Sequence, residues 1–481
     1  MKKILIILMA FMVVASCTKL EDLNKNVKNP TEVPATTLFS NAQKDLADQI
    51  ASTNVNMNVF KLWAQYWTET TYTDEANYMI VNRTISDNAW EVWYQDVLMN
   101  LKESKTLIEA SGDNSLQAVN QCQVIEILTC YSYERMVTLW GNIPYTEALD
   151  INNVTPKYDD AKTIYTDLIT RLNAAIAAID ESSGSFGTDD LIYGGDMAAW
   201  KMFANTLKLK MGITLSTADP GLAQATIESA VMGGVFTSNA DNANFVYQSV
   251  TPNTNPLYVD LTLSGRQDFI GTTVVDYLND FNDPRRSAFF TYAPDTEEYL
   301  GGVYGISNPY VGFSHVADAI AGDPTFSCTI LSYTETQFYL AEAAERGFTN
   351  GVAEEHYNKG IEASFEFWGV GGLDDYMAQD GVDYNSTWVG NNKLAMQSWF
   401  AAYNNGYTGW TVWRRWGNES LHFVDPPSVE DGTFAGIPVR FTYPVFEQTL
   451  NAENYQQAAA AIGGDLLTTK LFFLEIGRAS C

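Results

Sequence analysis

Two antiparallel helices are written into the stretch from Ser332 to Phe367, and few folds can absorb such a unit. Ser332 and Glu335 have the spacing of a capping box, Phe338 to Ala344 continues the helix, and Gly347 closes it. After a turn at Asn350-Gly351, a second helix is expected from Ala353 to Phe367. Amphipathic helices joined by a tight glycine turn form a helical hairpin, the unit that stacks in tetratricopeptide-like solenoids. Apolar residues also recur at three- and four-residue spacing from Val97 to Ile108, Leu116 to Trp140 and Tyr158 to Ile179. Ile164, Leu168, Leu172, Ala175 and Ile179 make one stripe, and Leu207, Met211 and Leu215 make another in the segment begun by Trp200 and Phe203. No fixed-period repeat runs through the chain. The stretches Ser182 to Gly195, Tyr247 to Asp268, Ala293 to Phe326 and Trp388 to Pro438 are rich in Gly, Pro, Asn and aromatics and read as long loops. Loops of that length commonly carry function on a rigid scaffold.

The amino terminus places the chain. Lys2 and Lys3 precede an apolar run from Ile4 to Val14 that is too short to span a bilayer, followed by Ala15-Ser16-Cys17. This pattern predicts a signal peptide over residues 1–16 and lipidation of Cys17, with a flexible tether over 17–40 and a single domain over 41–473. Acyl chains on one cysteine hold a soluble domain on a membrane at about 0.8 kcal/mol per buried CH₂. Residues 474–481 are set aside, because Ile476-Gly477-Arg478-Ala479-Ser480-Cys481 resembles a translated sequencing adapter.

The formal charge is −30, and cleavage after Ser16 removes two lysines to leave −32. Nucleic acid and anionic lipid surfaces need basic patches, so neither is an expected partner. Cys122, Cys130 and Cys328 are an odd set without metal-ligand spacing. On one helix, Cys122 and Cys130 would stand about 12 Å apart, beyond disulfide reach. All three are expected as small buried hydrophobes.

Catalytic constellations are thin. The 3 histidines are His315, His356 and His422; Glu354-Glu355-His356 lacks the second histidine of HExxH, and Gly312 to Val316 fails the nucleophile-elbow pattern. Gly369-Val370-Gly371-Gly372 follows a helix and reads as a turn. No catalytic residue and no metal ligand is assigned. The many loop Asp and Asn residues do not by themselves specify a structural calcium ion, and no cofactor is expected. Aromatics are the better lead, at 13% of the chain. A sugar ring offers an apolar C–H face and a hydroxyl rim, which suits flat aromatics beside amides and carboxylates. Trp63, Trp67, Trp90 and Trp93 have core spacing. Tyr72, Asn77 and Tyr78, in a Thr/Asp/Asn stretch, and Trp388, in the last long loop, are the candidate ligand-binding residues.

Several blocks carry a likeness to a known family: Asp22 to Asn26 with Asn29-Pro30-Thr31; Trp140-Gly141-Asn142-Ile143-Pro144-Tyr145; Trp200 to Leu209; Asn282-Asp283-Pro284-Arg285. The most specific is Thr334 to Ala344 with Tyr357-Asn358-Lys359-Gly360-Ile361 and Ser364, and further likeness lies in Trp413-Arg414-Arg415 and Val439 to Pro444. The chain resembles the SusD/RagB-type outer-membrane lipoproteins of Bacteroidetes, in their SusD-like branch. It departs at the carboxyl end, where Leu471-Phe472-Phe473 stands in place of a Trp-Trp-Asp-like close.

The resemblance implies a mainly α domain with a tetratricopeptide-like helical-hairpin scaffold, long ligand-binding loops and a few short strands. It implies buried carboxylates opposite Arg414, Arg415 and Arg440. It also implies a non-enzymatic, cell-surface lipoprotein that captures a nutrient, commonly an oligosaccharide, and passes it to a SusC-type TonB-dependent outer-membrane transporter. The contrasting expectation is a surface lipoprotein glycoside hydrolase, which paired carboxylates such as Asp189-Asp190 or Asp374-Asp375 could serve.

Overall fold

The structure is a computed structural model and describes residues 33–387, 390 and 392–474. The expected signal segment, Cys17 and Trp388 lie outside the described residues. Helix α1 (Ala35–Ala51) starts ahead of the boundary expected at residue 41, because Phe39 is fully buried and stacks on Phe186 at 3.9 Å. It is followed by α2 (Ile85–Glu91), a π-helical segment Val92–Leu98 and α3 (Met99–Ala110).

Next come α4 (Leu116–Trp140), α5 (Ala161–Ala178), α6 (Met197–Leu215) and α7 (Pro220–Gly233). Each has its side-chain N-cap: Ser115, Asp160, Asp196 and Asp219 accept from the first-turn amides. Asp160 explains why α5 begins at Ala161 and leaves Tyr158 outside. After α8 (Thr273–Asp280) come α9 (Tyr333–Glu345) and α10 (Ala353–Trp368), the hairpin expected from sequence, with the Ser332–Glu335 capping box formed. The remaining long helices are α11 (Lys393–Ala401), α12 (Gly406–Trp416) and α13 (Ala452–Ala461).

Neighbours in sequence are neighbours in space: α4 with α5, α6 with α7, α9 with α10 and α11 with α12 pack as hairpins, and α6 lies against α9. Close approach of α9 and α10 depends on Gly360, where a Cβ would stand 2.7 Å from the Phe338 ring. Among the described residues, three antiparallel two-stranded pairs punctuate the helices. They join β1 (Trp67–Glu69) to β5 (Phe269–Gly271), β2 (Ile143–Pro144) to β3 (Tyr158–Asp159), and β4 (Ala243–Phe245) to β6 (Cys328–Leu331). The mainly α, tetratricopeptide-like architecture is therefore present.

The stretch from Trp388 to Pro438 corrects the sequence reading, since two helices replace an expected loop. Asn392 and Asn405, which look like loop residues, cap α11 and α12 by accepting from Ala395 and Thr408 amides. Gly406 serves packing: a Cβ there would fall 2.3 Å from the Lys61 amide nitrogen. Trp399, Phe400, Trp410, Trp413 and Phe423 of this stretch are core, with Trp399 and Trp410 fully buried.

Trp63, Trp67, Trp90 and Trp93 are also buried. Buried indoles find acceptors: Trp63 Nε1 donates to Glu75 O, Trp399 Nε1 to Ala64 O and Trp410 Nε1 to Pro438 O. Arg440 pairs with Asp465 at 2.7 Å and Arg415 with Glu342, as the resemblance implies. Among the described residues Arg414 meets no carboxylate, contrary to what the resemblance implies. Its guanidinium lies 3.8 Å from the Trp410 ring centroid and donates to Thr138 O and Val439 O. Cys130 and Cys328 are buried and Cys122 half-buried, all as free thiols. At the carboxyl end, Leu471 and Phe473 are buried despite the departure from the family pattern.

Candidate functional site

Loops gather around the β1–β5 pair. Past β1 the chain enters the stretch 70–84, where Thr70 N donates to Asp268 O at 2.9 Å and Thr70 O accepts from Asn308 N at 3.0 Å. The segment after β5 folds back on itself: Ser314 O accepts from Gly271 N, Ser314 N donates to Leu300 O, and Thr291 N donates to His315 O.

Three of the four expected ligand residues lie on this loop face. Tyr72 is 80% exposed, and its backbone is left-handed, with φ 55°. That region is costly for a bulky non-glycine residue, by about 1–3 kcal/mol. Asn77 and Tyr78 are buried and hold the loop from beneath. Asn77 Nδ2 donates to Gly305 O at 2.6 Å, and its Oδ1 accepts from Ser428 N at 3.1 Å, so one amide ties three loops together. Tyr78 packs edge-on against Trp63 at 5.8 Å, and burial pushes its phenol far up. Their polar, turn-like sequence context leaves exposure and burial equally open; the Asn77 amide satisfies buried loop backbone, and the Tyr78 ring fills core. Other aromatics on the folded-back segment went unnoticed in the sequence. Tyr292 is half-exposed beside Tyr299, with centroids 4.6 Å apart, and Tyr310 stacks on His315 at 3.7 Å.

On either side of Tyr72 in the chain stands a buried carboxyl, Glu69 on β1 and Glu75. Glu69 Oε2 accepts from Ala76 N at 3.1 Å, and Arg83 Nη1 stands 2.8 Å from Glu75 Oε1. Burial first, and sharing a hydrogen bond and charge with Glu75 second, push the Glu69 carboxyl up to about 9. Folded Glu69 thus keeps a proton that the unfolded chain releases near its ordinary 4.5. Between those values the folded state binds more protons, so this stabilisation is complete below the ordinary value and lost as pH rises through the shifted one. Wild-type unfolding midpoints should fall between about pH 6 and about pH 9, and Glu69→Gln should flatten that fall. An equal fall in both proteins would place the titrating group elsewhere.

A second feature opens beside α8, a cleft of about 840 Å³ lined by Tyr277, Asp280, Gln379, Asp380, Asn418 and His422, among others. Its size suits a small-molecule or oligomer ligand. Tyr277 OH donates to His422 O at 3.0 Å, and Asn418 Oδ1 accepts from Phe423 N at 2.6 Å and Trp413 Nε1 at 3.2 Å. These bonds fix the ring and the amide while carboxylates rim the opening. Sequence reading missed this group, because its members come from three separated segments with no shared motif. Gly390 also lines the cleft.

Histidines are dispersed: His315 sits on Tyr310, His356 Nδ1 meets Gln337 Oε1 at 2.8 Å, and His422 borders the cleft. Among the described residues no group of three His, Cys, Asp or Glu side chains is placed to hold a metal ion. No described helix is long and apolar enough to cross a membrane.

Comparison with known proteins follows the architecture. A chitin-binding protein aligns at 25% identity with TM-score 0.78, covering 92% of this chain and 100% of its own. A SusD-like protein from Bacteroides thetaiotaomicron aligns at 25% identity with TM-score 0.75, covering 90% and 98%. A chitin-binding SusD homologue from Flavobacterium johnsoniae shares the fold at 22% identity and TM-score 0.77, covering 90% and 98%. A search of curated proteins gives no match. The SusD-like family model described as "Starch-binding associating with outer membrane" matches residues 27–444. With the hairpin scaffold and its loops running under that match nearly from end to end, the chain belongs to the SusD-like family.

Proposed function

We propose that the protein captures an oligosaccharide at the outer surface of the outer membrane and delivers it to a SusC-type TonB-dependent transporter, with Cys17 as the lipid anchor. The observation that carries this reading is the wide cleft, in which Tyr277 and a fixed amide face carboxylates and an imidazole across about 840 Å³. Such a surface offers a ring face for C–H contact and acceptors for hydroxyls, and it is open enough for a chain of sugars to lie across it. Tyr72, held outward in a strained conformation, serves as a further platform, because strain that persists at an exposed aromatic points to use. Asn77 and Tyr78 position that loop. Trp388 is proposed as a ligand contact on its sequence context alone.

Binding without turnover fits the dispersed histidines. Family membership and the chitin-binding relatives make chito-oligosaccharides and malto-oligosaccharides the first ligands to try. Titration calorimetry with both series should give saturable binding to one series and no new reducing ends on prolonged incubation. Steady release of reducing ends would make the protein a hydrolase. Tyr72→Ala should weaken binding about tenfold, roughly 1.4 kcal/mol, while leaving stability within about 0.5 kcal/mol. Pull-down of the lipoprotein from outer membranes should recover one TonB-dependent transporter in near-equal amount. Its absence under gentle detergent would sink the delivery half of the reading.

A further inference from the structure

The turn between α9 and α10 holds the dipeptide Asn350-Gly351. In an Asn-Gly pair the glycine nitrogen reaches the asparagine side-chain carbonyl with least hindrance, because no Cβ blocks the approach and the backbone can turn to make it. Both residues are exposed, and among the described residues no backbone hydrogen bond holds either N–H. The chain has one other such pair, Asn405-Gly406. There the asparagine is occupied as the cap of α12, its Oδ1 accepting from Thr408 N at 3.3 Å, and Gly406 is buried against the Lys61 backbone. The same chemistry thus stands in two settings, one able to rearrange and one locked.

A base stands at the open one. His356, in the first turn of α10, lies against Gly351, with Nε2 2.9 Å from the point where a Cβ on that glycine would stand. Its Nδ1 is 2.8 Å from Gln337 Oε1 on α9; an amide oxygen only accepts, so Nδ1 carries the proton and Nε2 the lone pair. Burial first, and the Lys359 charge second, hold the imidazole below its ordinary pKa against the opposing pull of Glu355. The groups that face it from α9 and from the turn, Gln337 and Gly351, are uncharged. At neutral pH the ring is therefore a neutral base.

We propose that Asn350-Gly351 is a self-modification site, at which His356 acts as general base for conversion of the asparagine to aspartate and isoaspartate. Nε2 takes the Gly351 amide proton as that nitrogen attacks Asn350 Cγ, and the new C–N bond closes a succinimide ring. The imidazolium returns the proton to the departing amine, which leaves as ammonia. Water then opens the ring at either carbonyl. One water is consumed and one ammonia released, with no oxidant or cofactor. The product adds a negative charge at the tip of the α9–α10 hairpin, and the isoaspartate form lengthens the main chain there by one carbon.

The test is peptide mapping of the purified protein by mass spectrometry, with isoaspartate quantified, during incubation near neutral pH. Asn350 should convert while Asn405 keeps its amide; in denaturant the two should convert at comparable rates. His356→Gln, which keeps a donor toward Gln337, should slow conversion at Asn350 about tenfold, a modest share of what a positioned general base contributes. Asn405 reports folding in the same digest, since its conversion would reveal an unfolded variant. A readout that needs no variant is the pH profile: the native rate at Asn350 should level off once His356 is neutral, whereas the denatured chain should keep rising with hydroxide. No conversion at Asn350, equal conversion at both sites in the native protein, or an unchanged rate in folded His356→Gln would overturn the proposal. So would a native profile that rises with hydroxide throughout.

Discussion

Arg285→Met should destabilise the protein by about 3–5 kcal/mol, the range for removing one partner of a buried ion pair. The guanidinium is fully buried and forks onto Asp283, with Nε 3.0 Å from Oδ1 and Nη2 2.6 Å from Oδ2. Its remaining protons go to Ser364 Oγ at 3.0 Å, Gln397 Oε1 at 2.8 Å and Tyr376 OH at 3.1 Å. One side chain therefore joins the turn after α8 to α10, to α11 and to the short helix Leu373–Met377. Methionine would fill much of the volume but leave the Asp283 carboxylate charged, buried and unpaired. Denaturant midpoints of wild type, Arg285→Met and Arg285→Met with Asp283→Asn would read this directly. The single variant should be the least stable, and the second change should recover part of the loss, because it removes the orphaned charge. A single-variant loss under about 1 kcal/mol would mean that water reaches Asp283 and the pair is not a buried one. Since α8 and residues 379–380 both border the larger cleft, the variant should also lose oligosaccharide affinity.

Trp410→Ala should cost a comparable amount, about 3–5 kcal/mol. Trp410 is fully buried, with ring centroids 5.3 Å from both Phe60 and Trp63, and its Nε1 donates to Pro438 O at 2.8 Å. Truncation would open a cavity that these flat, mutually packed rings cannot close. It would also strip the Arg414 guanidinium of the ring face it covers at 3.8 Å. Trp410→Phe, which keeps most of the volume and loses the indole N–H, should lie between wild type and alanine. If Trp410→Ala unfolded at the wild-type denaturant concentration, α12 would be peripheral and its core role wrong.

Trp410 also shows where sequence reading stops. Its neighbours Asn404, Asn405, Gly406 and Gly409 are turn formers by intrinsic preference, and the stretch reads as a loop on that ground. In the fold the same asparagine caps a helix, and the same glycine lets that helix touch the backbone at Phe60 and Lys61. Local chemistry is identical in the two readings; only the partner 345 residues away in sequence separates them. The Ser332 capping box and the stripes of α4 and α5 were legible because each is satisfied within a few turns of one helix.

The candidate site divides in the same way. Thr70 to Tyr78 is visibly a polar, aromatic-bearing loop, but whether a given side chain faces ligand or core depends on loops that meet it from 267–268, 304–308 and 428. These contacts bury Asn77 and Tyr78 and leave Tyr72 outside. The proton on Glu69 and the Tyr277–His422 cleft have no sequence signature at all, because each is a property of distant groups brought together by the fold. By itself the sequence determined the helical hairpins, their caps and the family pattern, since these rest on short-range spacing. Only the tertiary structure decided which aromatics and acids are core and which face a ligand, since burial is set by what packs on top of a residue and not by what stands beside it in the chain.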